Sequence, residues 1–483
     1  MNDQPENRQG TMAAAPLDTM HKALTLNLDG KAYGTFAEIG GGQEVANWFF
    51  HAGHAAGTVA KSVSAYDMKV SDSMYGPTAH YVSRERLESM LEHEYTELLQ
   101  KLDGKRGENT TFFVYADTVA TRRRTATDTG NAWLGIRFQH QPRQEPSEII
   151  IHAQMLDQEV LGQQAALGIF GVNLVYAAFQ LWWDPIALIK SLRDGLTGHR
   201  GEVDVIKFSG PAFEQVDNRL ISLQLVELGL TNAAMFTANG EVVQPGEVLY
   251  HKPVLIERGS FRPVTNVTLD MLDRALAQVR TDRKPDEVAD VVVLMEMTLS
   301  NLMEEKQIDH KDFVARADIL AALGKNVLIS NYTRFDGVTE YLRHYTNNRI
   351  GMVVGLPTLL EIFKEEYYAE LQGGILEGLG RLFHGPVRLY VYPTIDAASG
   401  QLRTAESPAI RPDLKHLYEY LWDNQCICTI RDYDAAELRI NPGEVLAKLQ
   451  AGDASWEKLV PAKAAELIKA KGFFGYAGEV AAD

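Results

Sequence analysis

The stretch from Lys252 to Met297, KPVLIERGSFRPVTNVTLDMLDRALAQVRTDRKPDEVADVVVLMEM, constrains the fold more than any other part of the chain. Val254, Leu255 and Ile256 form the short apolar run that a buried parallel strand needs. Gly259 and Ser260 end that run, and Pro263 suits the opening of a helix. Thr265 or Asn266 can cap the helix by accepting a hydrogen bond from one of its free N–H groups. Leu269, Leu272, Leu276 and Val279 then recur at helical spacing and give one apolar face. Pro285 helps close the segment, and Val291 to Met295 is again a continuous apolar run. Strand, turn, helix and strand make a βαβ unit, whose crossover is right-handed. Ligands in such units sit beyond the C-terminal ends of the strands, near helix N-termini. The Gly259–Thr268 turn lies at that place, where backbone N–H groups and the helix dipole favour a phosphate.

The residues Gly259-Ser260-Phe261-Arg262-Pro263-Val264-Thr265-Asn266-Val267-Thr268-Leu269 carry a family resemblance. The run resembles the signature turn of nicotinamide or nicotinate mononucleotide adenylyltransferases. Those enzymes follow a GSFxP turn with His or Thr, two more residues, and His. Gly259, Ser260, Phe261, Pro263, Thr265 and Asn266 match. The resemblance implies nucleotide binding through Gly259, Ser260, Phe261, Pro263 and Thr265. The family's closing His contacts the ATP phosphates and stabilises charge in the transition state; here that position holds Thr268. Thr can hydrogen-bond a phosphate but carries no positive charge. A second family signature, I-S-S-T-x-x-R, has its nearest match at Ile329-Ser330-Asn331-Tyr332-Thr333-Arg334, with the Arg one place early. It adds Ser330 and Arg334 to the implied nucleotide site. The resemblance covers one turn and the unit around it. Bacterial proteins of similar length that sometimes carry this adenylyltransferase label are also similar to the chain.

The activity implied by the resemblance is transfer of adenylyl from ATP to nicotinate or nicotinamide mononucleotide, a step of NAD biosynthesis. The acceptor phosphate would attack the α-phosphate in line, with positioning and charge stabilisation supplying most of the catalysis. Thr268 and Arg262 are the catalytic candidates. Arg258, Arg262 or Arg334 would replace the missing cationic charge, together with Mg²⁺ brought by ATP. The competing expectation is a non-catalytic protein that binds a nucleotide or phosphorylated metabolite and acts through self-assembly or a partner. A third is an enzyme of unrelated chemistry using turns near Gly40 or Lys207. A plain strand-to-helix turn, with Pro263 and Thr265 in capping roles, accounts for the same GSFRP residues, since short motifs recur by chance.

Composition narrows the classes. With 483 residues and about 100–200 residues per domain, roughly two to four domains are expected. A net charge of -17 argues against a general nucleic-acid surface, which is normally basic. Cys426 and Cys428 are the two cysteines. One intervening residue is poor disulfide geometry, and two thiols are half of a structural zinc site. A reduced, cytoplasmic location and no dedicated metal site follow as expectations. The opening MNDQPENRQGTMAAAPLDTM lacks a basic segment followed by an apolar run, so it does not read as a secretory signal. Residues 1–30 read as a disordered tail. Leu167 to Trp183, LGIFGVNLVYAAFQLWW, is almost wholly apolar. It falls short of the about 20 residues a bilayer needs, and Asn173 and Gln180 interrupt it. A buried core helix or a subunit contact is expected there, with no membrane span and with homo-oligomerisation as the partner expectation.

Along the chain, strands alternate with helices, which predicts an α/β fold: doubly wound, mainly parallel, Rossmann-like sheets in two regions. The expected regions are 31–250, 251–395 around the GSFRP turn, and a mostly helical extension over 396–483. Thr35 to Ile39 reads as a strand, followed by Gly40-Gly41-Gly42 and a helix over 43–63. That turn is phosphate-compatible but lacks the full G-x-G-x-x-G pattern. His51 and His54 spell H-x-G-H, yet they sit in an expected helix and read as helix-face histidines. Asp67 and Asp72 could meet Mg²⁺, although solvated loop acids are commoner. Arg122-Arg123-Arg124 is the sharpest basic cluster and could receive a phosphate or an acidic partner. Lys207 and Ser209 form a second candidate ligand turn.

Overall fold

The computed structural model describes residues 17–122, 129–196, 200–282, 290–304, 306–396 and 399–476. Residues 1–16, Arg123, Arg124 and Pro285 lie outside the described residues. The chain divides into two compact units, residues 1–203 with 207–216, and residues 204–206 with 217–483. The main division falls after Val216.

In the first unit, helix α1 (Thr19–Asp29) occupies part of the expected tail. The Asp18 side chain accepts the His21 N–H at 2.8 Å, and Gly30 ends the helix at φ 68. Ala23 and Leu26 bury its inner face, so capping and packing order a polar-looking segment. Six strands follow: β1 (Ala32–Gly40), β2 (Val59–Ala65), β3 (Thr111–Ala120), β4 (Gly130–Phe138), β5 (Ser147–Met155) and β6 (Gly201–Ser209), in the order β2-β1-β3-β4-β5-β6. Strands β2, β1 and β3 are parallel, and β3, β4 and β5 pair antiparallel. Helices α2 (Val45–Ala52), α3 (Met68–Tyr75), α4 (Arg84–Arg106), α5 (Val160–Gln180) and α6 (Pro185–Ser191) complete the unit. The helix expected over 43–63 stops at Ala52, because Gly53 turns at φ 79 and β2 begins shortly after. Asp67 caps α3 by accepting the Lys69 and Val70 N–H groups, and Asp72 pairs with Arg86 at 2.9 Å. Both acids are therefore taken by structural bonds.

Helix α5 is long and apolar enough to cross a membrane by length and composition, and it is mostly buried within the protein. Asn173, the polar residue that interrupts it, is fully buried and satisfied: it accepts Lys22 Nζ at 2.9 Å and donates to the Leu192 and Asp194 carbonyls at 2.9 and 2.8 Å. Gly171 lets α2 and β3 close on α5, since a Cβ there would meet Val45 at 2.3 Å and the Tyr115 hydroxyl at 2.7 Å.

The second unit begins with α7 (Asn218–Glu227), β7 (Ala233–Phe236), β8 (Val242–Val243) and α8 (Pro245–Leu249). The βαβ unit read from sequence follows as β9 (Val254–Arg258), α9 (Asn266–Thr281) and β10 (Val292–Thr298). After α10 (Leu299–Leu302), β11 (Met303–Glu304) and β12 (Gln307–Ile308) come α11 (His310–Ala322), β13 (Asn326–Ser330), α12 (Phe335–Arg343) and β14 (Ile350–Gly355). The chain continues through α13 (Leu356–Ile362), α14 (Gly374–Leu382), β15 (Val387–Tyr392), β16 (Thr394–Ile395) and β17 (Leu402–Arg403). Last come α15 (Lys415–Asp423), β18 (Ile427–Thr429), α16 (Pro442–Gln450) and α17 (Ala462–Lys471). The sheet runs β18-β15-β14-β9-β10-β13-β7-β8, parallel from β18 to β13 and antiparallel at β7 and β8. Numbered along the chain, the parallel strands lie in the order 3-2-1-4-5-6, that of dinucleotide-binding Rossmann sheets.

Both units are thus α/β, and the second is Rossmann-like. The extension beyond residue 396, expected to be mostly helical, also supplies the sixth parallel strand. One face of the sheet, with Val254, Ile256, Met352 and Leu389, packs on α12, α13, α14 and α15. Right-handed crossovers place α9 and α11 on the other face.

Candidate nucleotide site

In a 3-2-1-4-5-6 sheet the crevice for a ligand opens where the strand order reverses, here between β9 and β14 at their C-terminal ends. The GSFRP turn follows β9, the first parallel strand of this sheet. Gly259 donates its N–H to the Glu296 carbonyl at 3.1 Å, which prolongs the β9–β10 pairing. Phe261 takes φ 52 and buries its ring beneath the turn. A Cβ on Gly259 would meet that ring at 2.8 Å, so the glycine is needed for the phenylalanine as well as for close approach of a ligand. Ser260 is exposed at the rim, and Pro263 is buried.

The arginines expected to meet phosphate are engaged by carboxylates. Arg258 donates through Nε and Nη2 to the two oxygens of the fully buried Glu296, both at 2.9 Å, and through Nη1 to the Thr333 carbonyl at 3.0 Å. Its guanidinium also lies 4.3 Å from the centroid of the Phe335 ring. Ser330 donates its hydroxyl to the same Glu296 at 2.7 Å. Arg262 donates to Asp312 at 2.6 Å and contacts Glu304. Arg316, buried on α11, donates to the other oxygen of Asp312 at 2.5 Å and to the carbonyls of Ser260 and Asn301 at 2.9 and 3.0 Å. The turn is therefore held from below by a guanidinium. Arg334 forks onto Asp336 at 3.0 and 3.3 Å, and those hydrogen bonds hold its pKa above the ordinary arginine value.

Thr265 occupies the N-cap position of α9 and is fully buried, but its hydroxyl accepts no helix N–H, so the expected side-chain cap is not made. Its hydroxyl lies 3.0 Å from that of Thr268, so the two threonines face one another. Glu257, next to Arg258 on β9, is buried with one oxygen lacking a hydrogen-bond partner, and burial drives its carboxyl well above the usual carboxylate range.

A cleft of about 430 Å³ opens beside Arg262. Its walls include Asp309, Lys311 and Asp312 from the start of α11, and Lys471, Phe473 and Phe474 from the C-terminal arm. Asp309 caps α11, accepting the Lys311 and Asp312 N–H groups at 2.8 and 3.2 Å. Lys471 reaches Asp318 at 2.8 Å, whereas Lys311 is exposed at the rim. Asn266, at the start of α9, donates to the Lys458 carbonyl at 3.0 Å, so the extension lies against the turn.

Sequence reasoning singled out Arg258 and Ser330 and missed Glu296, which joins them. An acid closing an apolar strand, as in VVVLME, was the available signal. Asp312 and Arg316 were missed as well, although their i,i+4 spacing marks a helix pair. Lys311 and the arm residues Lys471, Phe473 and Phe474 join the turn only in three dimensions.

The other expected sites resolve differently. At the Gly40–Gly42 turn, the N–H groups of Val45 and Ala46 donate to the Glu38 carboxyl at 2.8 and 3.3 Å, so the protein's own acid fills the phosphate position at the start of α2. His51 and His54 are exposed, and among the described residues no group of three or more His, Cys, Asp or Glu is arranged to hold a metal ion. Arg122 donates to the neutral Gln158 side chain at 2.7 Å. At the Lys207–Ser209 turn, a Cβ on Gly210 would meet the Ser147 backbone at 2.7 Å, which marks close strand packing. Cys426 and Cys428 are free thiols whose pKa values burial pushes up.

No family model matches the chain, and no curated protein is similar to it. Among solved structures it is similar to the competence/damage inducible protein CihA from Agrobacterium tumefaciens, at 15% identity and TM-score 0.26 over 34% of this chain and 98% of that one. It is also similar to the competence damage-inducible protein A from Klebsiella pneumoniae, at 14% identity and TM-score 0.25 over 33% of this chain and 96% of that one. A CinA superfamily protein from Enterobacter cloacae aligns at 9% identity and TM-score 0.25, over 37% of this chain and 98% of that one. At these TM-scores the likenesses bear on neither fold nor activity.

Proposed function

We propose that the second unit binds a nucleotide or a phosphorylated metabolite and that its output is binding rather than adenylyl transfer. The observation that carries this reading is the coincidence of three features: the 3-2-1-4-5-6 sheet, the GSFRP turn after its first parallel strand, and the adjoining cleft of about 430 Å³. Lys311 at the rim would meet the phosphate, and Phe473 would offer a ring face to a base. Against transfer stands the charge arrangement. Arg258, Arg262 and Arg334 are each held by carboxylates, and Thr268 carries no charge where the resembling enzymes place a histidine.

Adenylyl transfer to nicotinate or nicotinamide mononucleotide is the second reading, favoured by the match at Gly259, Ser260, Phe261, Pro263, Thr265 and Asn266. In that case Mg²⁺ would arrive with ATP and supply the cationic charge that the arginines lack.

Calorimetric titration with ATP and with each mononucleotide, followed by chromatography of the same mixtures with Mg²⁺, separates the readings. Binding without dinucleotide product is expected, and Lys311→Glu should weaken it about tenfold. Dinucleotide formation that disappears in Gly259→Val would overturn the non-catalytic reading. No binding of ATP or of either mononucleotide would overturn the transfer reading and the nucleotide form of the binding reading.

A further inference from the structure

We infer that Glu38 and Asp117 form a proton-holding latch: while the pair keeps a proton, the Glu38 carboxyl fastens the start of α2 to the ends of β1 and β3, and loss of that proton frees the α2 segment. The two acids are partners in register on neighbouring parallel strands, and both are buried, at 3% and 0% exposure. The Glu38 oxygens accept the Val45 and Ala46 N–H groups. Asp117 accepts the Tyr115 hydroxyl on Oδ2 at 3.0 Å, while its Oδ1 is buried with no hydrogen-bond partner.

Among the described residues, the groups around the pair offer no cation. Strand β2 places Ser64 beside Glu38, and β4 places Leu134 beside Asp117. Strand β3 adds Tyr115, the residue before α2 adds the acid Glu44, and α5 brings Leu167 and Gly171. Two carboxylates here would be desolvated and mutually repelling, and neither would have a counter-charge. Gly42 packs closely against the pair: a Cβ on it would meet Leu167 at 2.3 Å and Asp117 Oδ1 at 3.0 Å. A proton on one of the two carboxyls relieves their repulsion without any further group. Burial accordingly pushes Glu38 up to about 7, with Glu44 adding to it, and burial, then Glu38, drives Asp117 well above the carboxylate range.

When the pair loses its proton to bulk water, two carboxylates remain. Opening must admit water, and the cover that yields most readily is α2, eight residues long with Phe50 and His51 already exposed. Strand β1 is paired on both sides along its length.

Hydrogen exchange on the full chain, corrected for intrinsic rates, tests this over residues 43–52. Protection there should fall about tenfold between about pH 6 and pH 9, with α9 unchanged as an internal reference. Asp117→Asn keeps the shape and removes the second charge, so the fall should disappear. Equal protection at both pH values in the wild type, or an undiminished fall in Asp117→Asn, overturns the latch. Should Asp117→Asn not fold, the infrared band of a protonated buried carboxyl in the wild type decides. Its presence near pH 7 and loss as the α2 segment opens support the latch, and its absence overturns it.

Discussion

At the end of β10 in the second unit, Glu296 is fully buried and grips Arg258 with both oxygens. At the end of β3 in the first unit, Asp117 is as deeply buried and bonds a tyrosine hydroxyl instead. Both acids stand where parallel strands deliver side chains toward a helix N-terminus. The second unit pairs Glu296 at the end of β10 with Arg258, and the helix acids Asp312 and Asp336 with Arg262, Arg316 and Arg334, while Glu257 on β9 is buried without a guanidinium. The first unit relies on protons and backbone N–H groups. Charge pairing consumes the cations that a phosphate would need. Proton holding consumes the helix N-terminus that a phosphate would occupy. At both turns the protein's own carboxyls take up groups that a phosphate would use, and in the second unit an open cleft with the exposed Lys311 adjoins the turn.

The sharpest way to break this comparison is to remove a buried guanidinium. Arg316→Ala would leave Asp312 short of a partner and the Ser260 and Asn301 carbonyls bare. Breaking a buried pair in this way should cost about 3–5 kcal/mol, read by urea unfolding of the second unit. A loss under about 1 kcal/mol would mean that Arg262 alone satisfies Asp312.

The pH response should differ in sign between Glu38 and Asp217. Glu38 has its folded value raised from 4.5 to about 7, so its contribution is full below 4.5 and is lost as pH rises toward 7. That loss should be about 3 kcal/mol across the window, and Glu38→Gln should remove it. In the second unit, burial pushes Asp217 up, but the hydrogen bonds from Arg219 override it and leave the carboxyl below its ordinary 3.8. That contribution is present above 3.8 and is lost as pH falls further, and Asp217→Asn should remove it. Glu257, buried on β9 and raised by burial, acts in the same sense as Glu38. Changes of the same sign in Glu38→Gln and Asp217→Asn would contradict the distinction between proton-held and arginine-held acids.

The smallest effect concerns the turn itself. Thr268→Ala removes the hydroxyl that meets Thr265 at the N-cap position of α9. A loss of about 1 kcal/mol or less is expected in thermal unfolding, with nucleotide affinity little changed if Thr268 serves this hydrogen bond rather than the ligand.

Much of this architecture was legible in local patterns. The apolar runs at 254–256 and 291–295, with helical spacing between them, identified β9, α9 and β10. The order of strands across the sheet was not legible, because it depends on pairings between distant segments. Arg258 and Glu296 are 38 residues apart, and nothing near either one announces the other. Strand β18 was missed because Ile427–Thr429 is too short to show alternation, and a cysteine sits at its centre. Helix α1 was missed because its stability lies in the Asp18 and Gly30 caps and in two buried side chains, not in its composition. The GSFRP turn was read correctly as a turn, while the partners that immobilise Arg262 came from α11 and β11.

The place of β18 has a consequence for how the chain is made. The second sheet receives one border, β7 and β8, before its central strands are synthesised, and the other, β18, after all of them. Until Ile427–Thr429 leaves the ribosome, β15 presents a bare row of N–H and C=O groups along a strongly apolar strand. Such an edge is a template for pairing with a neighbouring nascent chain. Premature stops between Tyr392 and Ile427 should therefore yield products prone to coaggregate, whereas the finished chain closes that edge with three residues.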